Sequence, residues 1–262
     1  MSMYNDLPPI PNMDNLKEIA RGARKHPMDL TAPEQFEAAR NLLEYDIDGK
    51  NYYHRYDNPP YNHRAPHSLE ELYVREGVLL RLIKVNERLR RHNLELHVFD
   101  AYRPVELQNY FFDEWVPNEI RKQHPDWSED EVYEEKKKYW AKGAPSSDAV
   151  DLLSPPPHST GGVVDLTIKV YDTNVLLNMG TLFDDTTPLS ALDYYESEST
   201  TRMLTISEEE AIRNRRMLYT VMSEAGFVSY PREWWHYGFG DQLSSILTGK
   251  SHAVYSKMTI GG

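Results

Sequence analysis

The sequence predicts a single α+β domain in which a mainly antiparallel sheet is flanked by helices. Three observations predict it. Helix-like and strand-like segments are interspersed without the regular alternation of a βαβ array. With 262 residues, 40% of them hydrophobic, the chain can bury one sizeable core. Near the C-terminus two strand-like segments, 227–230 and 234–239, flank the turn Pro231-Arg232-Glu233, the layout of an antiparallel hairpin.

In chain order, residues 1–30 are rich in Pro, Asn and charge and are expected to form an arm lying over a domain of residues 31–262. Thr31 with Glu34 reads as a capping box opening a helix over 31–43, and Ser68 with Glu71 opens a longer one over 68–92. In that second helix Leu72, Leu79, Leu82, Ile83 and Leu89 recur at helical spacing, so one face meets the core. Leu94, Leu96 and Val98 alternate, predicting a strand over 94–99 that runs directly into Asp100-Ala101-Tyr102-Arg103-Pro104. Pro104 suits the first turn of a helix over 104–115. Ser128 with Glu131 starts a charged helix reaching about Lys142, in which the run 134–138 is a solvated face. The Pro- and Gly-rich loop 154–162 precedes a β-branched strand over 163–170. A short apolar piece, 175–179, leads to the loop 180–188. The last long helix starts at Ser207, with Glu210 completing a capping box, and stops at Gly226.

Charge and composition narrow the function. With 41 acidic against 29 basic residues the net charge is −12, which repels nucleic acid and anionic membranes and favours a small-molecule substrate. No cysteine is present, so a bound transition metal must be held by His, Asp or Glu. The first residues carry no basic segment followed by an apolar run, and no stretch approaches ~18 apolar residues, the usual membrane-span threshold. The cytoplasm is therefore the expected location. Nothing in the sequence sets an oligomeric state.

Metal-assisted hydrolysis needs three neutral or anionic ligands, a carboxylate to move a proton, and a cation near the developing oxyanion. His158 sits on the rigid loop, Asp165 seven residues on in the strand, and His236 in the hairpin, three residues after Glu233. Residues three apart in a regular strand point to opposite faces, so Glu233 must occupy a turn or bulge if it shares a site with His236. An aspartate within the apolar strand Val163-Val164-Asp165-Leu166-Thr167-Ile168 costs several kcal/mol if buried alone and needs either a metal or a buried arginine. Arg103 reads either as a site cation at a strand-to-helix turn or as a structural ion pair with Asp100 or Glu106. Trp234 reads as core.

Taken together, Asp100-x-Tyr-Arg-Pro, His158-x-x-Gly-x-x-x-Asp165-Leu-Thr and Glu233-Trp-Trp-His-Tyr, in this order along the chain, resemble the motifs of the VanX-type D-alanyl-D-alanine dipeptidases of the zinc D-Ala-D-Ala peptidase superfamily. Residues 179–184, 214–216 and 222–227 agree, and the likeness spans roughly 42–240. The resemblance implies a D-Ala-D-Ala metallopeptidase-like fold and makes 31–262 a zinc dipeptidase domain. It implies one zinc ion on His158, Asp165 and His236, Glu233 as general base and Arg103 on the oxyanion. Asp184, helped by Tyr53, would hold the ammonium of a small dipeptide such as D-Ala-D-Ala. Where the family often has a serine two residues before the first histidine, this chain has Pro156. Two alternatives stay open: a zinc D,D-carboxypeptidase or endopeptidase acting on longer wall peptides, and a metal-binding recognition module without catalysis. Asp184 argues against the first, and the presence of both Glu233 and Arg103 against the second.

Overall fold

A computed structural model describes residues 7–137 and 140–260. The first six residues of the expected arm, and the end of the charged run at Lys138, lie outside the described residues. The strands are β1 (Ala39–Asn41), β2 (Asp48–Gly49), β3 (Tyr73–Arg75), β4 (Leu94–Asp100), β5 (Val163–Val170), β6 (Val228–Ser229) and β7 (His236–Gly238). The helices are α1 (Asp14–Gly22), α2 (Glu76–Arg90), α3 (Val105–Tyr110), α4 (Val116–Gln123), α5 (Glu129–Lys136), α6 (Tyr194–Ser199), α7 (Ile206–Glu224) and α8 (Gln242–Leu247). A five-stranded sheet runs in the order β2-β4-β5-β7-β6 and is antiparallel except for the β2–β4 pair, and β1 and β3 form a separate antiparallel ribbon. The α+β class with a mainly antiparallel sheet is the one the sequence predicts.

The β-branched run 163–169 is buried along its whole length as β5, so the sheet is covered on both faces there. Helix α2 packs on β4 and α7 on β5, each through an apolar face. Register then does something specific. Asp165 of β5 lies opposite Asp100 of β4 on one side and His236 of β7 on the other. A register shift between Val98 and Asp100 is needed to reach that pairing, the kind of bulge that re-aims side chains at sheet rims.

Several local expectations give way to tertiary pairing. The helix expected over 31–43 is instead a 3₁₀ turn at Pro33–Phe36, the strand β1 and a second 3₁₀ turn at Leu42–Glu44. Thr31 does not cap it, because its hydroxyl donates to Asp29 at 2.7 Å. Ser68 likewise spends its hydroxyl on the Ala65 carbonyl, and β3 forms before α2 begins at Glu76. Arg75 explains that extension: its side chain reaches the carbonyls of Glu34, Gln35, Thr160, Ser256 and Lys257, and its amide donates to Gly161 at 3.0 Å. The helical face of α2 is otherwise as expected, with Leu79, Leu82 and Leu89 buried.

The helix after Pro104 runs past residue 115, through a π-helical turn at Phe111–Trp115 and on into α4. Pro117, which has no N–H to give to the preceding turn, accounts for the break in the regular ladder. The Ser128–Glu131 capping box of α5 is present, with the helix ending at Lys136. For α7 the cap is Thr205 with Glu208, two residues earlier than Ser207 with Glu210, since Ser207 accepts from Asn178 instead. At the N-terminus α1 buries no side chain, but Ile10 and Met13 before it enter the core, and their amides donate to Glu196 at 2.9 Å and to Asp193 at 2.8 Å. Among the described residues no helix is long and apolar enough to cross a membrane.

Candidate metal centre

His158 stands in a 3₁₀ turn, Pro157–Thr160, that ends at Gly161 in the left-handed region (φ 67°). Glycine takes that backbone without strain, and a Cβ on Gly161 would lie 2.4 Å from the Met258 sulfur and force that side chain to move. The turn is tied to β3 by Arg75, through Thr160 and Gly161, and the Arg103 amide donates to the His158 carbonyl. The imidazole is oriented in turn. Its Nδ1 lies 2.8 Å from the Ala101 carbonyl, which can only accept, so Nδ1 carries the proton and Nε2 presents a lone pair.

That lone pair meets the sheet row. His158 Nε2 is 3.3 Å from Asp165 Oδ2 and 3.3 Å from His236 Nδ1, and His236 Nδ1 is 3.0 Å from Asp165 Oδ1. One donor atom from each of the three residues lies within 4.8 Å of the others. Two nitrogen donors and one carboxylate oxygen, without sulfur, suit zinc and related divalent ions. Asp165 Oδ1 is buried, and although His236 Nδ1 lies 3.0 Å away the two are not aligned as a hydrogen bond, an arrangement that fits a shared cation better than a closed polar network. The titration of the residues says the same. Burial raises the Asp165 carboxyl, but the two histidines outweigh it and hold it far below the usual range. Burial lowers His236, but Asp165 outweighs it and raises the ring above its ordinary value. The cluster is a place that attracts positive charge.

Glu233 occupies the turn between β6 and β7, as the spacing requires, with Oε2 3.5 Å from His236 Nδ1. Burial pushes its carboxyl up to about 7. Arg103 is held on all sides. Its Nε donates to Asp100 Oδ2 at 2.7 Å, and its terminal nitrogens donate to Gln108 at 3.2 Å, Tyr53 at 3.2 Å and Asp165 Oδ2 at 3.3 Å. The guanidinium also lies over the rings of Tyr53 and Trp140. Burial disfavours the charge, yet Tyr53, Asp100, Asp165 and Asp184 together raise it well above normal, so Arg103 stays cationic. The ion pair with Asp100 is formed, whereas Glu106 bonds Ser147. Arg103 is thus both a structural partner of Asp100 and a neighbour of the metal cluster.

Asp184 lies in the loop after β5 with φ 64°, an uncommon conformation for a non-glycine residue and one often found at functional positions. Tyr53 donates to its Oδ2 at 3.0 Å, and Tyr61 donates to the same oxygen. Burial raises the Asp184 carboxyl despite both hydroxyls. Together with Arg103, His158, Asp165, Glu233 and His236 it lines one cleft of ≈ 840 Å³. Trp234 is buried, its indole donating to Thr181 at 2.7 Å, while Trp235 lines the cleft.

The structure therefore brings all seven singled-out residues together. Three further ones were not singled out as site residues: Tyr61 on Asp184, Asp100 behind Arg103 and His158, and Trp140 against the Arg103 guanidinium. Asp100 stood inside the Asp-x-Tyr-Arg-Pro segment, a usable signal. For Tyr61 and Trp140 the sequence offers none.

The chain matches the model of the Peptidase_M15 family, described as D-ala-D-ala dipeptidase, over residues 67–257. A D-alanyl-D-alanine dipeptidase of Synechocystis sp. is 31% identical over 212 residues, covering 77% of this chain and 81% of that protein. One of Enterococcus faecium is 29% identical over 62% of this chain and 70% of its own length, and one of Escherichia coli 27% over 62% and 64%. This chain accordingly belongs to the Peptidase_M15 family of D-Ala-D-Ala dipeptidases and is a metallopeptidase.

Proposed function

We propose that the chain hydrolyses a free D,D-dipeptide, D-Ala-D-Ala, with one zinc ion held by His158, Asp165 and His236. The observation that carries this reading is the row Asp100–Asp165–His236 with His158 closing over it, which gathers one oxygen and two nitrogen donors beside a free carboxylate and a fixed cation. When bound, zinc supplies Lewis acidity at the scissile carbonyl and acidifies a water for attack. Glu233, the carboxylate that is not a ligand, takes the proton from the attacking water and returns it to the leaving amine. Arg103, immobilised by Asp100, Gln108 and Tyr53, stabilises the oxyanion without reorganising. Asp184, with Tyr53 and Tyr61, takes the substrate ammonium. A buried carboxylate at that end demands a cation, so chains extended or acylated at the amine are excluded.

The test is a comparison of substrates by the zinc-loaded chain, reading free D-Ala. Free D-Ala-D-Ala should exceed N-acetyl-D-Ala-D-Ala by ~10²-fold or more in kcat/KM, the scale of a lost charge-assisted contact plus an unpaired buried carboxylate. Efficient release of D-Ala from an acylated tripeptide or pentapeptide would replace this reading with a carboxypeptidase.

A further inference from the structure

The Asp184 end of the cleft accounts for an ammonium, and a dipeptide also carries a carboxylate at its other end. We infer that Tyr230 and Arg232, on the turn that carries Glu233, form the subsite for the terminal carboxylate of the substrate. The inference rests on the functional reading above and adds to it the anion-binding half of the cleft.

Proline supplies the first observation. The wall formed by Pro155, Pro156 and Pro157 lines the cleft beside His158 and has no amide N–H to offer an anion. Donors must come from elsewhere. The second observation is a census of the cations that line the cleft. Arg103 is held by Asp100, Lys17 by Asp14, Lys137 by Glu134 and Lys142 by Asp113, while Arg24 donates to the Ser154 carbonyl. Arg232, exposed at the cleft, has no hydrogen bond or ion pair among the described residues.

Tyr230 gives the third. Its ring lies 5.3 Å from that of His236, it lines the cleft, and its hydroxyl makes no hydrogen bond among the described residues. The turn holds it in place: the Tyr230 amide donates to the His236 carbonyl at 2.9 Å and the Glu233 amide to the Tyr230 carbonyl at 3.3 Å. Glu233 thus shares its turn with this phenol and the Arg232 guanidinium, while Asp184 stands on the separate loop after β5, where Tyr53 and Tyr61 donate to it. A free phenol and a free guanidinium on one rigid turn are the donors a carboxylate takes best. A dipeptide zwitterion would lie along the cleft with its ammonium on Asp184, its scissile bond beside Glu233 and its carboxylate on Tyr230 and Arg232.

The experiment uses two matched ligands that cannot be cleaved: the reduced-amide analogue D-Ala-ψ[CH₂NH]-D-Ala as the free acid, and the same analogue as its C-terminal carboxamide. Binding is read by the fluorescence of the cleft tryptophans in the zinc-loaded full chain. The unmodified protein should prefer the acid by at least ~10-fold, as a charge-assisted contact implies. Arg232→Ala and Tyr230→Phe should each weaken the acid by several-fold and leave the carboxamide within about twofold, with Arg232→Lys restoring part of the preference. Arg232 is exposed and Phe conserves the Tyr230 ring, so both variants should fold. An acid-to-carboxamide ratio unchanged in both variants would overturn the inference. Because binding is read without turnover, that result is distinct from a failure of the functional reading, which would show as no D-Ala released from D-Ala-D-Ala by the unmodified protein.

Discussion

The two ends of the cleft are built by different means. The cluster of His158, Asp165 and His236 stands on the sheet: two of its members are directly paired in register, and the third comes from a turn locked to β3 by Arg75. The Asp184 pocket stands on loops. Its carboxylate holds an uncommon backbone conformation, and its hydroxyls arrive from Tyr53 and Tyr61, far away in the chain. A ligand set must keep its geometry to a fraction of an ångström, and strand register provides that. A substrate pocket has to be particular about charge and length, and loops can be changed for that without disturbing the sheet. With the roles proposed above, the contrast separates chemistry from selection, and each substitution below should fall on one side or the other.

The largest effect is expected at the sheet end. His158→Ala or His236→Ala removes one of three donors and should leave a chain with no stoichiometric zinc and no measurable turnover, checked by metal analysis of the purified variants and by dipeptide hydrolysis. A chelator should do the same to the unmodified chain. Stoichiometric zinc retained in either variant would mean that the cluster is not the metal site.

Next comes Glu233→Ala, which should keep the metal and lose at least ~10²-fold in kcat, the usual scale of acid–base catalysis. Loss of zinc along with activity would make Glu233 a ligand and extend the sheet-built half by one residue. Undiminished turnover would move the proton transfer elsewhere.

How much of this was legible follows the same division. The segment 163–170 reads as a strand because β-branched residues dominate it, and the need of Asp165 for a partner follows from its place among those apolar neighbours. The place of Glu233 in a turn follows from strand periodicity, and the structure has it there. What could not be read is whatever depends on pairing between distant segments. The register shift that sets Asp100 beside Asp165 is a property of two strands together and leaves no mark on either. Thr31 and Ser68 look like caps locally but are overruled by β1 pairing with β3 and by the demands of Arg75 for carbonyls. Tyr61 meets Asp184 across 123 residues, and nothing near Tyr61 announces it.

At the loop end the main test is Asp184→Asn. The substitution keeps shape and removes the charge, so kcat/KM for free D-Ala-D-Ala should fall by ~10-fold to 10²-fold, while the already poor N-acetyl dipeptide should change little. The ratio between the two substrates should therefore narrow, with zinc content untouched. An equal loss on both substrates would show that Asp184 supports the metal half instead of selecting the ammonium.

The smallest effects are also the most discriminating, because one of the two tyrosines belongs to both halves. Tyr61 gives its hydroxyl to Asp184, with no other polar partner among the described residues. Tyr53 gives its hydroxyl to Asp184 and accepts from the Arg103 guanidinium at 3.2 Å, so it stands between the ammonium pocket and the cation proposed for the oxyanion. Removing either hydroxyl leaves Asp184 with the other, so the cost should lie nearer 1 kcal/mol than the ~1.5–3 kcal/mol of a fully lost bond to a charged group. Tyr61→Phe should raise KM by roughly 3-fold to 10-fold with kcat held within about twofold, since the contact is made equally in the bound substrate and the transition state. Tyr53→Phe should raise KM by a similar factor and also lower kcat by several-fold, because Arg103 loses the oxygen that helps fix its position when charge develops on the substrate. Steady-state kinetics on the free dipeptide separate the two outcomes. Identical behaviour of both variants, with kcat unmoved in each, would place the boundary between selection and chemistry on the far side of Tyr53 and leave Asp100 and Gln108 as sufficient to hold Arg103.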